Sequence, residues 1–172
     1  MAGVTTALVR AETFITLDDA AEFADTETIV IGQKTYTAQD TLTDVDGNVH
    51  VGADVAATLT NLIAAVNISN EGESATGAGT DYAAAMTRNP DVYAIATSAT
   101  VATFRAHIPG AIGNNIPVAN GTGAATVDNA TLEGGTGIVA DFFDEVLDSV
   151  QLNSEALMHL SPFSTTAGGV GA

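Results

Sequence analysis

Clustered β-branched and apolar positions early in the chain predict short strands joined by tight turns. Residues 28–31 and 34–37 form two such runs, and only Gly32 and Gln33 separate them. A two-residue loop with glycine in the first place is typical of a β-hairpin with a type II′ turn. An Asp-Gly turn at residues 44–48 then leads into a further short strand. This part of the chain therefore predicts a small sheet.

A helical period replaces the strand pattern after residue 54. Apolar residues recur three or four positions apart, at Val55, Leu59, Leu62, Ile63 and Val66. Asp54 immediately precedes them and is a favourable N-cap residue, so we predict a helix over residues 55–67. A second, short helix is predicted over residues 81–88, because Thr80 can cap its start and Pro90 ends it.

The last third of the chain combines strand patterns with one long apolar stripe. Residues 92–97 and 101–108 predict two strands, the second with apolar side chains at its even positions. Residues 126–132 predict one more short strand. The stripe predicts an amphipathic helix over residues 138–150, with carboxylates on its opposite side. Its apolar residues are Ile138, Val139, Phe142, Phe143, Val146, Leu147 and Val150.

These elements predict an α+β fold with a small mixed or antiparallel sheet of five or six strands. We divide the chain into an N-terminal arm (1–25), a core module (26–137), a C-terminal helix (138–160) and a tail (161–172). The arm contains a strand or short helical turn whose packing partner is not evident from the sequence. The tail is expected to be flexible unless a neighbouring subunit orders it. The residues expected in the core are Leu59, Leu62, Ile63, Phe104, Ile108, Phe142, Val146 and Leu147.

Charge limits the classes of partner. The 172 residues include 4 Lys+Arg and 21 Asp+Glu, which gives a formal net charge of −17 at pH 7. So few cations cannot form the patch that specific nucleic-acid binding needs, and an anionic membrane surface is disfavoured for the same reason. No apolar run approaches the roughly 18 residues of a membrane span. We therefore expect neither nucleic acid nor a membrane as a specific partner.

No pattern in the sequence predicts catalysis or a cofactor. The chain has no cysteine, and its histidines, His50, His107 and His159, occur in unrelated elements without metal-site spacing. The turn at residues 44–48 lacks the glycine and glutamate positions of a calcium loop. The glycine-rich segments match no nucleotide-binding motif, and no nucleophile elbow occurs. We expect no catalytic, cofactor-binding or metal-binding residues and no small-molecule substrate.

Four segments resemble a module that is common in the virion proteins of tailed bacteriophages. Residues 28–37 are similar to an "IGGKTYTF" hairpin, with Gln33 in place of the second glycine, and residues 51–67 resemble an "AATLANLAAAIN" helix. Residues 106–115 resemble a "PGAxGN" strand and turn, and residues 130–135 a closing "ATLxGG". The segments occur in the expected order and span about two thirds of the chain.

The resemblance implies a non-enzymatic structural protein of the virion, assembled in the host cytoplasm, with copies of itself and other virion proteins as partners. We expect a symmetric oligomer in the tail or neck. A capsid decoration protein held by its terminal arms is the alternative, and a receptor- or carbohydrate-binding module is disfavoured by the scarcity of aromatic residues. The acidity suits DNA passage, an exposed decoration or a high-salt environment equally well.

The C-terminal stripe is the candidate subunit interface. It either packs on the sheet of its own chain or forms an exposed patch for a neighbour. The residues assigned to this candidate interface are Ile138, Val139, Phe142, Phe143, Val146, Leu147, Val150 and Phe163.

Overall fold

Two four-stranded sheets make up most of the part of the chain that the computed structural model describes, which is residues 7–68 and 77–137. The strands are β1 (Glu12–Thr16), β2 (Thr28–Ile31), β3 (Lys34–Gln39), β4 (Asn48–His50), β5 (Val92–Ala96), β6 (Val101–Ala106), β7 (Val118–Asn120) and β8 (Thr126–Val127). The α-helix α1 covers Val55–Val66, and two 3-10 helices cover Ala20–Phe23 and Ala111–Asn115. The predicted α+β class is confirmed, with more strands than the five or six expected.

The first sheet places the N-terminal segment at its centre. Its order is β5-β6-β1-β8, and all neighbouring strands are antiparallel. Ala11 and Ile15 are fully buried, as are Phe104 and Ala106 of the adjacent strand β6. The predicted N-terminal arm therefore contributes buried residues such as Ala11 and Ile15 to the core. Local sequence could not show this, because the partner of β1 lies about 90 residues further along the chain.

The second sheet contains the predicted hairpin. Its order is β4-β3-β2-β7, with β3 and β4 parallel and the other pairs antiparallel. Gly32 has φ +63° at the first turn position, which agrees with the predicted type II′ turn. A Cβ atom on Gly32 would also lie 2.2 Å from a carboxylate oxygen of Asp91. Both the turn and this close approach require glycine.

Helix α1 spans the gap between the two sheets. Asp54 caps it as predicted, accepting a hydrogen bond from the Ala57 amide at 2.8 Å. At its C-terminal end, the Asn67 side chain donates to the Ala94 carbonyl and accepts from the Ala94 amide, both at 2.7 Å. Asn61 donates to the His50 carbonyl in β4. The helix thereby covers an edge strand of each sheet, an arrangement that protects unpaired strand edges.

The two sheets join directly on the other side of the core. The Val118 amide donates to the Ala130 carbonyl at 2.9 Å, and the Leu132 amide donates to the Ile116 carbonyl at 3.0 Å. The side chains of Leu59, Leu62 and Phe104 are buried between the sheets and the helix, as predicted, and Ile63 is partly buried against them.

Two predictions in the described range are wrong. Residues 81–88 form no helix, because long-range partners satisfy their backbone amides: Ala85 donates to the Asp44 carboxylate at 2.6 Å and Thr87 to Asp46 at 2.7 Å. Ile108 is 56% exposed. Strand β6 ends at Ala106 and the chain bends before Pro109, so the alternation that buries Phe104 does not continue to Ile108.

The predicted C-terminal helix and tail belong to a second unit, residues 138–172, which lies outside the described residues. The core predictions for Phe142, Val146 and Leu147 fall there too. In the described ranges, no helix has the length and apolar character needed to cross a membrane.

Candidate functional site

The candidate interface residues predicted from the sequence all lie outside the described residues. They are Ile138, Val139, Phe142, Phe143, Val146, Leu147, Val150 and Phe163. Within residues 7–68 and 77–137, no group of three histidine or acidic side chains is placed to hold a metal ion. The feature that stands out instead is the distribution of charge.

All four cationic side chains of the chain lie near the same end of the described fold, and we call this region the cationic end. They are Arg10, Lys34, Arg88 and Arg105. Arg10 lies just before β1, and Arg105 near the end of the antiparallel strand β6 beside it. Lys34 follows the β2–β3 turn. This turn is held near β5, because the Gln33 amide donates to the carboxylate of Asp91, the residue before β5. Strand pairing therefore gathers residues that are up to 95 positions apart.

A column of planar groups forms the centre of the cationic end. The Arg10 guanidinium lies 5.7 Å from the centroid of the Tyr93 ring, and the Tyr93 and His107 ring centroids are 5.7 Å apart. Nη2 of Arg88 lies 3.3 and 3.4 Å from the two ring nitrogens of His107. Cation–π attraction favours such an arrangement of guanidinium groups and aromatic rings.

Two of the four cations have no carboxylate partner among the described residues. Arg105 pairs with Glu12 at 2.7 Å, and Lys34 pairs with Asp46 at 2.7 Å. Arg10 instead donates to the backbone carbonyls of Ala106 and His107, and Arg88 contacts the His107 ring. Guanidinium groups are well suited to bind carboxylates. The cationic end can therefore bind carboxylates from outside the described fold.

Open hollows lie on either side of Tyr93. One of about 540 Å³ is lined by Val9, Arg10, Glu12, Tyr93, Arg105, Glu133 and Gly134. Another of about 340 Å³ is lined by Val66, Asn67, Ile68, Arg88, Tyr93 and His107. Each combines arginine, an aromatic ring and aliphatic atoms, the composition that is enriched at protein interfaces.

Exposed aliphatic side chains adjoin the column. Leu8 and Val9 are each 47% exposed, and Ile108 and Ile112 are 56% and 62% exposed. Val9 and Ile108 are the chain neighbours of Arg10 and His107, and Leu8 lies beside Gly110. Arginine and aromatic groups next to exposed aliphatic residues indicate a surface for protein contact rather than for a small ion.

The opposite end of β1 carries carboxylates, and we call it the acidic end: Asp18, Asp19, Glu22, Asp25, Glu27 and Asp40. The chain reaches the acidic end just after β1, where the Leu17 amide donates to the Thr100 carbonyl in the β5–β6 turn. The Asp40 amide donates to the Asp25 carboxylate at 3.0 Å, and Ala38 donates to the Glu27 carbonyl at 2.9 Å. These bonds hold acidic side chains from two chain segments together.

His107 is the titratable group in the column. Burial lowers its pKa below the ordinary 6.5, and the nearby Arg88 and Arg10 lower it further, while the Asn89 carbonyl and Asp91 oppose the shift. The imidazole is therefore neutral at pH 7. The strand pattern placed His107 only at an odd, non-apolar position of residues 101–108, because the residues that surround it come from other elements.

Acidification is expected to destabilise the protein through His107. Between the lowered folded pKa and 6.5, the unfolded chain binds more protons than the folded chain, so stability falls as the pH falls through that window. Thermal melting from about pH 7.5 to about pH 5 would measure this. His107→Gln should show a smaller decrease in Tm than the unmodified protein, and equal decreases would contradict the assignment.

No protein-family model, curated protein or solved structure matches this chain.

Proposed function

We propose that this chain is a non-enzymatic structural subunit of a tailed-phage virion, where it assembles as a symmetric oligomer in the tail or neck. The observation that carries the proposal is the way in which the phage-like segments fit together. The Asn114 side chain donates to the Gly135 carbonyl at 3.1 Å and accepts from the Gly135 amide at 2.8 Å. The "PGAxGN" and "ATLxGG" segments are thus bonded to each other.

Close packing explains why position 135 of the closing segment is a glycine. A Cβ atom on Gly135 would lie 2.4 Å from the Gly110 carbonyl oxygen and 2.8 Å from the side-chain oxygen of Asn114. Such contacts are too short, so this position needs glycine. In this chain, residues of two phage-like segments thus have linked structural roles, and this linkage is what supports the proposal.

The remaining two segments form the rest of that module. The hairpin of β2 and β3 lies in the second sheet, and α1 covers an edge of each sheet. A structural subunit needs surfaces that neighbours can bind, and the exposed aliphatic and arginine side chains of the cationic end provide one. These features support assembly with other copies of the chain rather than with a soluble substrate.

The virion assignment is tested on purified particles of the virus that encodes this chain. We expect mass spectrometry of density-gradient-purified particles to find the chain in a fixed ratio to the major capsid protein. Detergent-treated host membranes and soluble lysate from the same infection serve as controls. A chain that is abundant in the lysate and missing from particles would refute the proposal.

The position in the particle is tested by the mass of the purified protein in solution. Light scattering at moderate salt is expected to show a defined oligomer, as a tail or neck component requires. Deletion of residues 163–172 would show whether the tail is required for that oligomer. A monomer that binds only to preformed capsids would instead support the decoration role.

A further inference from the structure

We propose that copies of this chain associate head to tail, with the cationic end of one copy on the acidic end of the next. The inference deepens the proposed function, on which it rests, by naming the two contact surfaces of the oligomer. Charge complementarity identifies the second copy as the partner. Carboxylates also lie at the cationic end, but those of Glu12 and Asp46 are paired with Arg105 and Lys34, so the complementarity depends on Arg10 and Arg88.

The unpaired arginines supply the first step of the argument. Within the described ranges, Arg10 and Arg88 form no ion pair with a carboxylate, although Glu12 and Glu133 line the same hollow as Arg10. Both lie against aromatic rings, which fixes their guanidinium groups before any partner arrives. Preorganised arginine side chains lose little conformational entropy on binding a carboxylate.

The acidic end supplies the complementary surface. Asp18 and Asp40 are exposed there, and the Lys and Arg residues of the same copy all lie at the other end. Like charges that are held together repel one another, so a neighbour that brings arginine relieves this repulsion as it binds. The exposed Val9 and Ile108 beside the arginines add apolar area that becomes buried in the contact.

The geometry of β1 makes the contact head to tail. Arg10 lies before the first residue of β1 and Asp18 after its last. The five residues of β1, Glu12–Thr16, extend over about 13 Å. A surface cannot pair with itself when its complement lies at the opposite end. Such heterologous contacts form a closed ring when the rotation between copies closes, and otherwise a filament.

Charge reversal at each end tests the inference in the full-length chain. The cationic-end variant carries Arg10→Glu and Arg88→Glu, the two arginines without an ion pair, and the acidic-end variant carries Asp18→Lys and Asp40→Lys. Each alone is expected to weaken self-association by at least about tenfold, measured by light scattering over a protein concentration series. An equal mixture of the two variants should recover the association, because each reversed end then meets its complement.

Thermal melting of each variant verifies folding, and two variants control for the sign of the charge change away from the two ends. Asp128→Lys changes an exposed carboxylate beside the middle of the first sheet, and Thr60→Glu adds a carboxylate on the exposed side of α1. Both are expected to associate like the unmodified chain. If either control loses association as strongly as the end variants, overall charge explains the effect and the inference is wrong.

Several other results would overturn the head-to-tail contact. The inference is wrong if the unmodified chain stays monomeric at high protein concentration and low salt. It is also wrong if the acidic-end variant associates normally by itself. A mixture that fails to recover association would also overturn it. Failure of the virion proposal gives a different result, because the chain is then missing from particles while the mixture of variants still associates.

Discussion

Leu62→Asp is expected to abolish soluble, folded protein. Leu62 is fully buried in α1, between the helix and the sheets. Loss of a buried leucine side chain costs about 2–5 kcal/mol, and an unpaired buried carboxylate adds several more. The sum is comparable with the whole stability of a typical domain, which is about 5–15 kcal/mol. Yield in the soluble fraction and far-UV circular dichroism would measure the loss.

Thr60→Asp is the matched control for this prediction. Thr60 lies in the same helix with an exposed side chain, which bonds only to the Ala56 carbonyl one turn earlier. The same new charge should therefore change stability by less than about 1 kcal/mol. If Leu62→Asp folds as well as Thr60→Asp, the position of α1 on the core is wrong.

Asn89→Ala is expected to lower stability by about 3–6 kcal/mol, because each buried polar group left unpaired costs about 1–3 kcal/mol. The fully buried Asn89 side chain donates to the Ile31 carbonyl at 3.0 Å and to the Tyr36 hydroxyl at 3.2 Å. Its oxygen accepts from the amides of Asp91 and Val92 at 2.9 and 3.1 Å. One side chain thus links the second sheet to the start of β5.

Urea unfolding would measure this loss, and Asn115→Ala is its control. Asn115 is exposed in the 3-10 helix after β6, so its truncation should cost less than about 0.5 kcal/mol. A decrease of under about 1 kcal/mol for Asn89→Ala would mean that water replaces these bonds. Burial raises the pKa of Tyr36, so its hydroxyl stays neutral throughout such an experiment.

Elements whose signals are local were predictable from the sequence. The hairpin needs only Gly32 in its turn, and α1 needs only its apolar period and the Asp54 cap. Each is stabilised by contacts a few residues apart, so a short window contains the information. The buried positions Leu59, Leu62 and Phe104 followed from the same periodicities.

Elements that depend on distant partners were not predictable. Residues 81–88 have a helical pattern in the sequence but form no helix. The Asp44 and Asp46 carboxylates accept hydrogen bonds from backbone amides in this segment, about 40 residues further along the chain. The central position of β1 depends on strands near residues 101–106 and 126–127. Asn89 had no role assigned from the sequence, whereas its four side-chain hydrogen bonds join the two sheets.

The sequence by itself determined the acidic net charge, the hairpin, the capped helix and the α+β class, because composition and short-range periodicity encode them. Only the tertiary structure decided that the four cations lie near one end of the described fold and that the Tyr93 and His107 rings lie between two arginines. The physical reason is strand pairing, which brings together residues such as Arg10, Arg88 and Arg105 that no local pattern connects.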